Sequence, residues 1–500
     1  MAARFFVNGG VDNKWSTTGN WSLTSGGSGG QAVPTASDDV TLDGSSPNCI
    51  LDTPTAKVCK SLTLTNYTNT MTFNVNLTAT PATGATCALG SGMTFAGTGK
   101  LIFFGPTSGT GTLTSNGKTV NIPLEIDGNS TTWTLGDSWT VTGALTLCGS
   151  TSGVVTINSN TINVGGDLTV GAASSRTQGT TLINLNGTST VTSAGNANGT
   201  LDMDLTINTS GTITFTGTFY WGDRANHTFL YTAGTVVASA GTLQVAGQSA
   251  TMTLNLGASV AWSAFVFSIS SWTLTLAADL IVTGSVTYAS SGTMTANGAF
   301  NIKVGGSWTI PASTSQRGTA TFVLTGTGTW SCPGTDVRNP VTFNSNGTVT
   351  ISGTIGYQTG TIKWTAGTLA GASSPNINVL GASTFDLGGV VFPAKITCTV
   401  AGVTITMTSG FIMASTGGFT LTGTAASTVK IVSSSPATQR VITVRGNAAL
   451  DIGYTDVTDV DSSQGAPVQR FKGTMSNTLN WPALTPRNAG ADAISYPVVG

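Results

Sequence analysis

The residues best suited to chemistry gather in one part of this 500-residue chain. In Leu201-Asp-Met-Asp-Leu205, Asp202 and Asp204 stand two apart, so on a single strand both carboxylates point the same way. Tyr220-Trp-Gly-Asp-Arg-Ala-Asn-His227 then adds Asp223, Arg224 and the single histidine, His227, beside two aromatic rings. Glycoside hydrolysis needs two carboxyl groups about 5 to 10 Å apart across a groove, which makes Asp202, Asp204 and Asp223 the catalytic candidates. For binding alone, Tyr220 and Trp221 offer platforms for sugar rings, with Arg224 and His227 as polar contacts. An exposed loop of ordinary polar residues accounts for the same stretch with no chemistry at all.

Other sites are harder to build. Asp451-Ile-Gly-Tyr-Thr-Asp-Val-Thr-Asp-Val-Asp461 concentrates acids, and Asp456, Asp459 and Asp461 are its candidate ligands for a calcium ion, which takes six to eight oxygens. The run lacks both the Asp-x-Asp-x-Asp-Gly loop and the glycine-rich nonapeptide of calcium β-rolls, and it reads more simply as turns closing the fold. One histidine and no nucleophile elbow leave no Ser-His-Asp set. Zinc and phosphate-cradling motifs are missing, and no cofactor is expected. Six cysteines (Cys49, Cys59, Cys87, Cys148, Cys332, Cys398) show no metal-ligand spacing. Cys49 and Cys59 flank a short turn that lets them face each other, but buried thiols are the expectation for all six.

The elements that carry these residues are read from repetition. Trp133-Thr-Leu-Gly-Asp-Ser-Trp-Thr-Val-Thr-Gly143 is echoed by Leu274-Thr-Leu-Ala-Ala-Asp-Leu-Ile-Val-Thr-Gly284. Val164-Gly-Gly-Asp-Leu-Thr-Val170 returns as Val304-Gly-Gly-Ser-Trp-Thr-Ile310, and Tyr231-Thr-Ala-Gly-Thr-Val236 as Trp364-Thr-Ala-Gly-Thr-Leu369. This is an internal duplication, about 131–270 and 272–407. Within a copy, Gly143, Gly166, Gly187, Gly211, Gly234 and Gly257 recur every 21 to 24 residues or so, each opening a run that alternates Thr or Ser with apolar residues. One such unit cannot bury its apolar row alone, so neighbours must stack. The expectation is an all-β, single-chain parallel β-helix (β-solenoid) of about twenty coils. Trp308 aligns with Leu168, Trp330 with Val191 and Trp133 with Leu274. Slots that exchange a ring for an aliphatic side chain are core slots, which leaves Trp221 and Tyr220 as the exposed aromatics.

Composition agrees: 65 glycines, 39% hydrophobic and only 8% charged residues, with a net charge of −1. No basic cluster offers a footprint for nucleic acid. No stretch approaches the roughly 18 apolar residues that span a bilayer, so membrane insertion is not expected. The N-terminal residues lack an apolar signal region, pointing to synthesis in the cytoplasm without ordinary secretion. Residues 1–52 read as a cap and first coil, 53–481 as the β-helix, and the proline-containing 482–500 as an extended tail.

Gly19-Asn-Trp-Ser, Val33-Pro, Asp38-Asp-Val-Thr-Leu-Asp43 and Cys59-Lys-Ser-Leu-Thr-Leu64 resemble the opening of Thr/Gly-rich β-helical virion proteins of tailed bacteriophages and prophages. Gln469-Arg-Phe-Lys-Gly-Thr-Met-Ser-Asn-Thr-Leu-Asn-Trp481 resembles their last coil. The resemblance implies a structural virion component: a rigid fibre, spike or capsid or tail decoration, located on the virion. It implies other virion proteins and copies of itself as partners, with a trimer favoured, and contact with host surface polysaccharide as an added role. Anchoring then falls to the ends of the chain, with Trp15, Trp21, Trp481 and Tyr496 as candidates. The alternatives are a polysaccharide-degrading tailspike enzyme and a non-viral bacterial surface adhesin.

Overall fold

A computed structural model describes residues 2–462 except 11, 150–152, 172–175, 194–200, 223–225, 248–250, 258–259, 270, 290–291, 313, 334–335 and 447. Beyond 462 it describes 464, 474–476 and 478. The fold is an all-β solenoid of about 18 turns with parallel stacked strands. Two compact units divide it, Met1–Ile281 and Val282–Gly500.

Over residues 101–193 of the first unit each coil contributes three short strands, and each strand pairs in parallel with its counterpart one coil later. Trp139–Val141, Leu145–Leu147 and Val154–Asn158 are followed by Thr161–Val164, Leu168–Val170 and Arg176–Gln178 in the same order. Alternation decides which side chains go inside. Leu145, Leu168, Val191 and Phe215 stack in register and are buried, while Thr146, Thr169, Thr192 and Thr216 form the matching outer row. Thr169 and Thr192 touch through their hydroxyls at 3.2 Å. The second unit repeats the scheme, with Trp308, Trp330 and Ile351 in an inner column.

Asn, Asp and Thr are abundant because the corners need them. At the corners that lead into a strand, a backbone N–H needs a partner outside the ladder. A side chain about one coil away supplies a substitute acceptor: Asn158 for Thr180, Asp167 for Thr190, Asp204 for Thr228 and Asn226 for Thr251, at 3.2, 2.8, 2.8 and 2.9 Å.

The first coil is closed by aromatic packing. Ala3–Phe6 runs antiparallel to Trp21–Ser22 and parallel to Asp39–Thr41. Trp15 and Trp21 meet edge-on at 4.8 Å, Phe6 meets Trp21 at 5.1 Å, and Trp21 Nε1 donates to the Trp15 carbonyl at 2.7 Å. All three rings are fully buried. Trp15 and Trp21 therefore cannot serve as anchoring surfaces as expected, because their area is spent closing the solenoid. The acids of the opening motif are structural too. Asp38 accepts from the Thr35 and Ala2 backbone, Asp39 from Lys60 and Ser61, and Asp43 from Ser45. The six cysteines are buried and form no disulfide, Cys49 and Cys59 included.

The two echoing stretches share structural detail. Leu205–Trp221 and Val341–Tyr357 are both 17-residue strands in which the separate strands of one coil run together. In the first copy Thr209 Oγ1 donates to the Gly187 carbonyl and accepts from Gly211 N. In the second, Ser345 Oγ does the same with Gly326 and Gly347. Tyr231 Oη caps the Gly234 carbonyl at 2.7 Å, and Trp364 Nε1 caps that of Gly367 at 3.0 Å.

A candidate site at the Asp202–His227 corner

Asp202 and Asp204 do converge, but not as neighbours on one strand. Leu201–Asp202 ends a strand in register with Thr177 and Gln178 below it. Met203 then turns inward and is fully buried, and Asp204 stands before the strand Leu205–Trp221. Trp221 fixes that turn. It is completely buried, and its Nε1 donates to the Met203 carbonyl at 3.0 Å. The expected exposed platform is thus a core residue, held there because a polar ring nitrogen found a backbone partner. Tyr220, its neighbour, is half-buried on the outer face opposite Gln244.

His227 opens the strand His227–Gly247 and lies between the two acids. Its Nε2 is 3.0 Å from Asp202 Oδ1 and its Nδ1 is 3.4 Å from Asp204 Oδ1. The Nε2 contact is close but poorly aligned for a hydrogen bond, so it acts as an ion pair. Far from sitting in an exposed loop, His227 is 7% exposed and Asp202 2%. Asp204 keeps 48% of its side chain in solvent. Burial alone would drive the imidazole towards its neutral form. The close contacts and charges of Asp202 and Asp204 outweigh it and raise the histidine from 6.5 to about 9. The bond to His227 in turn holds Asp204 below the usual carboxylate range, helped by the Thr228 amide.

A groove of about 510 Å³ opens over this clamp, lined also by Thr156, Gln178, Thr180 and Asn226. Gln178 stacks on Thr156 one coil earlier, with Nε2 donating to Oγ1 at 3.0 Å. Spacing by one coil would have found Thr156 and Gln178 from sequence, because they precede Asp202 in one outer column. The chemistry available is limited. A glycosidase acid must hold its proton near neutral pH, and the lowered Asp204 does not. An imidazolium with a pKa of about 9 is already protonated at pH 7 and cannot act as a base there. The clamp positions a backbone corner. Asp223 and Arg224 lie outside the described residues.

The acidic run near the end is likewise engaged in turns. Asp456 accepts from Thr428 and from the Thr474 amide, and Asp459 from the Ala437 amide at 2.9 Å. Asp461 is buried in the strand Val460–Asp461. Among the described residues no group of three His, Cys, Asp or Glu side chains could hold a metal ion. Trp481 and Tyr496 lie outside the described residues.

The equivalent corner of the second copy is built the same way with different charges. Tyr357 Oη reaches the Asn339 carbonyl at 3.3 Å, as Trp221 reaches that of Met203. Gly318 and Gly179 both have positive φ, and a Cβ on either would strike a carbonyl oxygen one coil below, of Ala296 or Ile157. Arg338 therefore corresponds to Asp202 and Arg317 to Gln178. Arg338 holds Asp336 with two parallel bonds, Nε to Oδ1 at 3.1 Å and Nη2 to Oδ2 at 2.8 Å, and Arg317 Nη2 lies 3.6 Å from the same carboxylate. Asn339 fills the slot of Met203 and satisfies its amide on the Ala320 and Ala296 carbonyls.

Neither a family model, nor a curated protein, nor a solved structure matches the chain.

Proposed function

We propose that the chain is a structural component of a tailed-phage virion, a β-solenoid fibre, spike or decoration whose work is mechanical. The observation that carries this reading is how the chemistry-bearing side chains are employed. Asp202, Asp204 and His227 brace a corner, the opening acids tie the first strands together, and Asp456 and Asp459 close turns. A neutral outer row of Thr gives a surface with little to attract other macromolecules, as suits an exposed structural part. The resemblance of the opening and closing motifs supports the phage assignment, and virion proteins and copies of the chain itself would be its partners. The enzymatic alternative loses support where Asp202 and Asp204 share one imidazolium instead of flanking a sugar ring.

Immunogold electron microscopy on purified particles of the encoding phage or prophage tests the proposal. Label on head, tail or fibre is the expected result. Label confined to the surface of uninfected cells would favour the adhesin reading and overturn this one. Oligosaccharide release from host capsule by the purified chain would restore the enzyme.

A further inference from the structure

Residues 2–10 and 12–31 lie over the first coil and cover two of its strand edges. The strand Asp39–Thr41 pairs with Ser61–Thr63 on one side and with Ala3–Phe6 on the other. The strand Cys49–Leu51 pairs with Thr70–Phe73, and across its other edge Asn13 and Trp15 exchange backbone bonds with Ile50 at 2.8 Å. Carboxylates hold this cover down at two places. Asp38 accepts from the Ala2 amide at 3.2 Å and from the Thr35 amide and hydroxyl at 3.0 and 2.9 Å. Asp52 accepts from the Ser16 amide at 3.0 Å and from the Ser16 hydroxyl. A third, Asp12, braces the cover from within. It accepts from the Lys14 amide, the Thr17 hydroxyl and the Asn20 side-chain amide at 3.2, 2.8 and 2.9 Å.

We propose that this cover is an acid-released lid: protonation of Asp12, Asp38 and Asp52 frees it from the first coil while the coils beyond stay folded. A carboxylate accepts from several donors at once, whereas a neutral carboxyl loses part of that capacity and adds an O–H that N–H donors cannot accept. All three carboxyls lie below their ordinary value of 3.8. The Thr17 hydroxyl is the main cause for Asp12. For Asp38 and Asp52 burial is the largest single effect and would raise the carboxyl, but the bonds from Thr35, Ala2 and Ser16, with Arg4 and Lys57, together outweigh it. The cations facing these acids are Arg4, 3.9 Å from Asp38, Lys57, 3.5 Å from Asp52, and Lys14, 3.9 Å from Asp12. Asp39 beside Asp38 pairs with Lys60, and Asp43 engages Ser45 within its own turn. Burial pushes up the Cys49 thiol near Asp52, which stays neutral in acid. Because the folded values lie below the unfolded one, the stabilisation is present above pH 3.8 and is lost as the pH falls through the folded values.

The coils further along rest on columns that do not titrate, such as Leu145, Leu168 and Val191, each paired with the coil before and the coil after. Asp137 and Asp167 there brace single corners of coils clamped on both sides. Among the described residues Ala3–Phe6 pairs with one coil strand only, so opening the lid costs little beyond the lid's own contacts. Released, it uncovers the Phe6, Trp15 and Trp21 rings and leaves two strand edges unpaired, an arrangement that recruits a further strand.

Hydrogen exchange of the full chain, read by mass spectrometry, tests the lid independently of the virion reading. Peptides from residues 2–22 and from residues 154–170 should both be protected at about pH 6. At about pH 2.5, corrected for the intrinsic rate, protection of 2–22 should fall about tenfold or more, that of 154–170 should hold, and neutralisation should restore the first. Asp38→Asn and Asp52→Asn should each speed exchange in 2–22 about tenfold at pH 6 and leave 154–170 unchanged. The pH series on the unaltered chain stands even where a variant fails to fold. A lid still protected at pH 2.5, protection lost evenly along the chain, or folded variants that exchange like the unaltered chain at pH 6 would each overturn the proposal.

Discussion

His227 provides the sharpest quantitative prediction, because it is the only histidine in the chain and one imidazole can be followed without assignment. Raising its pKa from 6.5 to about 9 corresponds to about 3 kcal/mol of preference for the charged ring in the folded state. Asp204 is half exposed and water screens its share, so about 2 to 3 kcal/mol is the contribution to carry forward. The folded value lies above the unfolded one. The stabilisation is therefore complete below pH 6.5, declines between 6.5 and 9, and is gone above 9. Long-range proton–nitrogen NMR should give a midpoint near 9. Asp202→Asn should lower it more than Asp204→Asn, because Asp202 is the closer and more deeply buried partner. In His227→Gln, the Thr228 amide should exchange faster than in the unaltered chain at pH 6, and at the same rate at pH 10, once exchange is corrected for its intrinsic pH dependence. A midpoint at or below 6.5 would refute the clamp and return His227 to the list of ordinary acid–base residues.

Other expectations follow from burial and backbone. Burial pushes the thiols of Cys49, Cys59, Cys332 and Cys398 up and that of Cys87 to about 11. Ellman's reagent should find no reactive thiol in the native chain and six after denaturation. Gly179→Ala and Gly318→Ala place a Cβ within 1.9 and 2.0 Å of a carbonyl oxygen at positive φ, so each should cost about 2 kcal/mol or more and expose that corner to protease. Trp330 stacks on Trp308 at 5.7 Å, so Trp330→Val should cost about 3 kcal/mol in melting experiments even though the first copy holds Val191 in that slot.

The fold was legible because a solenoid writes its period into every coil. The glycine beat, the alternation and the duplication each point to parallel stacking, and the exchange of Trp308 for Leu168 placed the tryptophans inside. Trp221 escaped that argument for a local reason. Its loop has no counterpart of equal length in the second copy, so no aliphatic residue in a matching slot marks the place where the ring folds inward onto Met203. Sequence alone lets Trp15 and Trp21 serve as cap or as anchor, and two fully buried rings fit the cap. The i, i+2 spacing of Asp202 and Asp204 predicts one strand face; a buried Met203 between them makes a corner instead, and the histidine brings them together. The charge reversal at Arg338 was also hidden. Aligning it with Asp202 depends on knowing that Tyr357 and Trp221 hold the same carbonyl, which sequence spacing alone does not state.

The corner bonds from Asn158, Asp167, Asp204 and Asn226 span 22, 23, 24 and 25 residues, close to the length of one coil. None of these contacts asks the chain to close a loop longer than that, however many coils are stacked. Loop-closure entropy grows with loop length, so an ordinary globular chain that doubles in size must bring together more distant partners. Here the closure distance stays constant, and every new coil finds its partners already in place on the one before. A solenoid of this kind can therefore gain coils without making any single folding step harder.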